Sequence, residues 1–190
     1  MNFLLRLKHW QLFLLIIGLP IIIQVTLRII MIRSEDSLSS FTKKTNFLSF
    51  ILTLISMTVS LGWIYAIGTN FHKKLPDTVK MNLVRFKVLF FIMAVYALFF
   101  IAFDTFSNEK ILDSGLFGVI IPIHIFSMFC ILYCLHFNAR ALKAVELQRP
   151  VTFGDFSGEF LLLLFYPFGI WIIQPRIIKF FDKTNELTTV

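Results

Sequence analysis

Four stretches, at about residues 10–32, 47–69, 88–106 and 116–137, stay apolar over the length of a bilayer crossing. A transmembrane helix needs about 20 predominantly apolar residues to cross a hydrocarbon core roughly 30 Å thick. The expected fold is therefore an all-α integral membrane protein with four transmembrane helices. Composition agrees. Of the 190 residues, 57% are hydrophobic and 15% charged, and Phe alone occurs 24 times. A soluble domain is about 45–50% apolar and about 25% charged, and a soluble core of this size could not hide so much apolar surface. The length suits one bundle, 1–190, with no second folded domain.

The formal charge of +7 comes from 18 Lys and Arg against 11 Asp and Glu. The basic residues lie between the apolar runs, where they act as topological signals. No basic helix, zinc spacing or aromatic ladder supports a nucleic-acid partner. Cys130 and Cys134 lie one turn apart inside the fourth run, a spacing that suits packing and gives no disulfide framework. The basic start, Met1 to Lys8, resembles a signal peptide. The apolar run after it continues past Pro20 without a small-residue cleavage site, so it reads as a retained span.

Polar residues within the runs are patterned. Pro20 predicts a kink in the first run. In the second, Ser49, Thr53, Ser56 and Ser60 fall at i, i+4, i+7 and i+11. At 3.6 residues per turn they form one stripe about 60° wide, the kind of small-residue face that lets helices approach in lipid. The loop 33–46 reads as polar, and Pro76-Asp77 as a turn or helix start. Past the fourth run, 138–149 becomes amphipathic and reads as a cytoplasmic extension of the same helix, with or without a kink at Asn138.

The segment 156–173 is the fifth hydrophobic element. Thr152 with Asp155 three residues on reads as a capping box. The apolar part is interrupted by Pro167 and Gly169 and closed by Gln174-Pro175-Arg176. It is shorter than a comfortable span and reads as re-entrant or interfacial. Charge gives the orientation. With the N-terminus cytoplasmic, Arg6, Lys8, Lys73, Lys74, Lys80, Arg85, Lys87, Arg140, Lys143, Arg149, Arg176, Lys179 and Lys183 lie inside. Only Arg28, Arg33, Lys43, Lys44 and Lys110 lie outside.

Two constellations are candidates for function. His124, Ser127, Cys134 and Asn138 share about 80° of the fourth helix and would line a ligand or ion path; equally, a neutral His124 would bond to the stripe of the second helix. Asp104 would bind a cation or relay protons with Tyr96 and His124, or sit as an interfacial acid. His136 is too far along the axis to share a metal with His124, and no metal site or cofactor is expected. The second constellation gathers Arg140, Lys143, Glu146, Arg149, Asp155, Glu159, Gln174 and Arg176 after the fourth run. Glu159 opens an apolar run and needs a partner, for which Arg149 or Arg176 would serve. The result is a polar clasp of Arg149, Asp155, Glu159, Gln174 and Arg176, or a pocket for a headgroup or protein partner.

No phosphate loop, metal pair or nucleophile elbow is present in the sequence. The expected function is that of a non-enzymatic membrane accessory or scaffold subunit. Its partners would be the lipid bilayer and a membrane protein or a second copy, in the plasma (bacterial inner) membrane. Two alternatives stand beside it: a small transporter with a path along the fourth helix, and a membrane enzyme acting on lipid through Asp155 and Glu159.

Overall fold

Proline at position 20 has no amide hydrogen to give to the carbonyl one turn back, that of Ile16. The computed structural model shows how the chain accommodates this. Helices α1 (Asn2–Arg6) and α2 (His9–Phe13) lead into a π-turn, Leu14–Gly18, and only then into α3 (Leu19–Arg33). The Ser56 hydroxyl, on α4 (Leu38–His72), donates to the Ile16 carbonyl. The bend at Pro20 is thus spread over a wider turn, and a neighbouring helix satisfies the carbonyl that proline leaves open. The structure describes the backbone of residues 2–33, 38–106 and 117–188, and the side chains of 3–30, 46–103, 105 and 118–181. The Asp104 side chain and the acidic loop after it lie outside the described residues.

The remaining elements are α5 (Leu83–Phe106), α6 (Phe117–Leu147), α7 (Phe153–Leu164) and α8 (Tyr166–Thr188). Among the described residues all regular structure is helical. Four stretches, His9–Ile30, Asn46–His72, Leu83–Phe103 and Gly118–Leu147, are long and apolar enough to cross a membrane. Their outward faces carry Ile21, Val25, Phe91, Val95, Phe99, Phe126 and Phe129, all exposed. Leaving such a side chain in water forgoes about 1.5–3 kcal/mol, and a hydrocarbon solvent removes that cost.

Helix ends follow local chemistry. Helix α4 begins at Leu38, inside the stretch read as a polar loop, because nothing between 38 and 47 breaks a helix. Asn82 starts α5 by accepting the Arg85 amide on its side-chain oxygen, at 2.9 Å. Helix α6 runs through Asn138 without a break. It stops where Gln148 turns left-handed (φ 51°), two residues before Pro150.

Within 138–149 one face is buried, Arg140, Lys143 and Glu146 are half-buried, and Leu147 to Arg149 are exposed. Ala139, Ala141, Leu142, Ala144 and Val145 are at most 1% exposed, in a helix that packs along α4, α5 and α7. Beside them Phe86 of α5 stacks on Phe137 at 4.5 Å between centroids. Gly68 lets this cluster close, since a Cβ there would meet Phe86 at 2.5 Å and the Asn138 oxygen at 2.6 Å.

The fifth hydrophobic segment is a helical hairpin. The break falls at Phe165, since the residues before Pro167 disfavour continued helix. Pro167 then sits in the first turn of α8, where its missing amide costs nothing. At Gly169 the backbone of α8 crosses α7 so closely that a Cβ would lie 1.8 Å from the Leu162 carbonyl oxygen. The hairpin packs α7 against α6 and α8 against α2. Its tip residue Tyr166 shares a cleft wall with Ile16, Pro20 and Ser56. Leu161, Leu164, Phe165, Phe168, Trp171 and Ile172 remain exposed on its outer side.

Candidate functional site

At the base of the hairpin, three helices bring four charges together. Lys143 and Glu146 lie one turn apart on α6, Glu159 on α7 and Arg176 on α8. The Glu159 carboxylate is buried and accepts from Lys143 Nζ and Arg176 Nη2, each at 2.9 Å. Arg176 also grips Glu146 with two bonds, Nε at 3.0 Å and Nη2 at 2.6 Å. This fork on a carboxylate is the strong form of such a pair. The set sums to zero charge, so it can be buried without an uncompensated ion.

Protonation follows from these contacts. Burial pushes the Glu159 carboxyl up, but the bonds from Arg176 and Lys143 more than reverse this and hold it below its ordinary value. Burial would likewise lower Arg176, yet its bonds to Glu146 and Glu159 raise it. Both groups stay ionised, and Glu159 holds no proton to donate near neutral pH.

A separate pair lies at the surface. Asp155 accepts the Thr152 amide at 2.8 Å and the Thr152 hydroxyl at 2.9 Å, closing the cap of α7. Arg149 adds an ion pair at 3.1 Å. The Thr152 amide foremost, then its hydroxyl and Arg149, hold the Asp155 carboxyl below its ordinary value. The structure therefore gives Glu159 to Arg176 and Lys143, and Arg149 to Asp155.

Gln174 serves a different junction. It is fully buried, and its Oε1 accepts from Trp63 Nε1 at 2.8 Å. Its Nε2 lies 3.2, 3.1 and 2.7 Å from the carbonyls of Leu4, Leu5 and Leu7. Leu4 and Leu5 lie in the last turn of α1 and Leu7 just after it, where carbonyls lack a helical donor. One amide thus ties the N-terminal turn, α4 and α8 together. Reading the sequence misses this because α1 is too short to announce itself; the signal was a polar Gln inside an apolar run.

The four residues proposed for a path along α6 divide. Ser127, Cys134 and Asn138 are buried, together with Cys130. Asn138 donates to the Ile64 carbonyl at 2.8 Å, joining α6 to α4, while its own oxygen has no partner among the described residues. His124, nearer the start of α6, is exposed, and its Nδ1 meets the Tyr96 hydroxyl of α5 at 2.8 Å. Among the described residues no three His, Cys, Asp or Glu side chains converge as a metal site would require.

The stripe of α4 faces the first helix. Thr53 donates to the Ser49 carbonyl and Ser60 to the Ser56 carbonyl, each at 2.9 Å, and Ser56 donates to Ile16. These half-buried hydroxyls line a series of clefts between α3, α4 and the hairpin tip. No protein-family model matches this chain, nor does any curated protein or solved structure.

Proposed function

We propose that this chain is a non-enzymatic membrane subunit that works through contacts within the bilayer. In this reading the N-terminus is cytoplasmic and the α7–α8 hairpin is re-entrant. The orientation is supported by α1 and Arg176 lying at one end of the bundle together with the basic 73–87 region. The re-entrant reading is supported by the hairpin's polarity. Its ends carry Asp155, Glu159 and Arg176, while its tip is apolar and reaches the residues around Pro20.

One observation carries the functional reading. The ionic cluster spends its charges on one another and thereby holds an exposed apolar face, Leu161 to Ile172, in a fixed position. A clasp of this kind presents a surface for another membrane helix, from a partner protein or a second copy. The alternatives find less support. A path along α6 needs His124 beside Ser127, and it lies on the outside with Tyr96. Lipid chemistry through Asp155 and Glu159 would need a carboxylate free to meet the substrate, and Thr152 with Arg149 holds the one while Lys143 with Arg176 holds the other.

Photo-crosslinking from Phe168, replaced by a benzophenone amino acid in the native membrane, tests the reading. The expected result is one discrete protein adduct, whose mass distinguishes a partner from a second copy. Crosslinks to lipid alone would overturn it.

A further inference from the structure

Three clefts follow one another along α4. The first, about 440 Å³, opens between Gln24, Arg28, Asn46, Ser49, Phe100 and Thr105. The second, about 210 Å³, lies between Pro20, Gln24, Thr53, Ser56 and Tyr166. The third, about 430 Å³, is walled by Ser60, Trp63, Ile64, Ile131, Leu135 and Leu163. They adjoin one another, for Thr53 lines all three, Gln24 the first two, and Ser56 and Tyr166 the last two. The two larger volumes fall in the range of small-molecule sites, about 300–1,000 Å³.

Polarity grades along this path. The first cleft carries a guanidinium and two amides, and the third is mostly aliphatic. The hydroxyls between them donate to backbone carbonyls within the protein. Gln24 and Arg28 differ. They stand one turn apart on α3, and neither has a hydrogen-bond or ion-pair partner among the described residues. Gln24 is half-buried and lies about 22 Å along the helix from His9, within a span of roughly 30 Å. An amide at that depth needs a polar partner, and the exposed Arg28 guanidinium beside it is placed to meet an anion at the mouth of the groove.

We propose that this groove binds one anionic phospholipid from the leaflet remote from the ionic cluster. The phosphate accepts from Arg28 and the headgroup or ester oxygens from Gln24. One acyl chain runs past Thr53 and Ser56 to the wall formed by Trp63, Ile131 and Leu135. Positive charge at the mouth selects the anion, and the aliphatic end selects a chain over a free phosphate. The inference does not depend on the subunit reading above, because its headgroup contacts come from Gln24 and Arg28 and not from the hairpin.

Trp63 gives the readout, being only 1% exposed and forming part of the deep wall. The full chain with Trp10→Phe and Trp171→Phe keeps Trp63 as its single tryptophan. In phosphatidylcholine nanodiscs it would be titrated with phosphatidylglycerol or phosphatidylcholine brominated mid-chain. We expect saturable quenching by phosphatidylglycerol and little by phosphatidylcholine at equal mole fraction. Arg28→Gln should raise the fraction needed about tenfold, the scale of one lost charge-assisted contact. Arg28→Lys should keep the preference. Equal quenching by both lipids, or by neither, would overturn the proposal. So would loss of quenching on adding free glycerol phosphate, which would mark a small-anion site instead.

Discussion

Trp63 and Gln174, 111 residues apart, meet through an indole-to-amide hydrogen bond of 2.8 Å. The same amide then reaches the carbonyls at the end of α1. Replacing it with an isosteric apolar residue leaves a buried indole N–H and at least one carbonyl unmet, at about 1–3 kcal/mol. Gln174→Leu should therefore raise hydrogen–deuterium exchange at residues 2–8 while α5 stays protected. Unchanged protection at the N-terminus would mean that Gln174 does not anchor it.

The contact between Ser56 and Ile16 is tied to Pro20. Ser56→Ala should cost about 1 kcal/mol, within the range of single hydrogen bonds between membrane helices. In a Pro20→Ala background residue 20 regains its amide and can satisfy Ile16 itself. The same Ser56→Ala change should then cost close to nothing. A double-mutant cycle measured by reversible unfolding in mixed micelles reads the coupling; an additive result would separate the two residues.

Gly169 is a packing requirement. Its hypothetical Cβ lies 1.8 Å from the Leu162 carbonyl oxygen and 2.6 Å from the carbonyl carbon, and backbone cannot step aside as a side chain can. Gly169→Ala should destabilise the hairpin by about 3 kcal/mol or more, at the upper end of overpacking costs. Gly154→Ala is the control, since nothing lies within 4 Å of a Cβ there. Equal melting temperatures for the two variants would refute the close crossing.

The clasp predicts an acid limb. A carboxyl held below its ordinary value gives stability that is full above that value, about 4.3 for Glu, and is lost as pH falls through the lowered one. Glu159 is of this kind, and Asp155 adds to the same limb. The contribution of these two carboxylates should be full above pH 5 and fall below pH 4. Glu159→Gln should flatten part of that fall and cost on the order of 2 kcal/mol at pH 7. That is less than for a fully buried pair, because Lys143 and Arg176 keep some solvent access. A variant that melts like the parent at pH 7 would reduce the cluster to a surface feature.

Much of the architecture was legible in one dimension. In lipid each backbone group must be met within its own helix, so an unbroken apolar run of sufficient length is already a candidate span. Breaks are equally local: Pro20 widens its helix into a π-turn, and Pro167 splits the fifth segment. The Thr152–Asp155 cap needs only its three-residue spacing. Sequence alone also marked Glu159 as an acid entering an apolar run.

The tertiary structure decided which partners these residues took. Hydrophobic periodicity tells inside from outside when the surroundings are water, but in hydrocarbon both faces of a helix can be apolar. Nothing in the chain distinguished the exposed His124 from the buried Ser127, or showed that Ala139 to Val145 packs so closely against its neighbours. The choice of Arg176 over Arg149 for Glu159 depends on how far the hairpin folds back. That angle is set where Gly169 passes Leu162. The meeting of Gln174 with α1 depends on the same fold-back, since it joins the two ends of the chain. Spans, caps and breaks belong to the sequence because they are satisfied within a few residues; the ionic clasp, the Gln174 junction and the groove beside Arg28 exist only once the helices have been laid against one another.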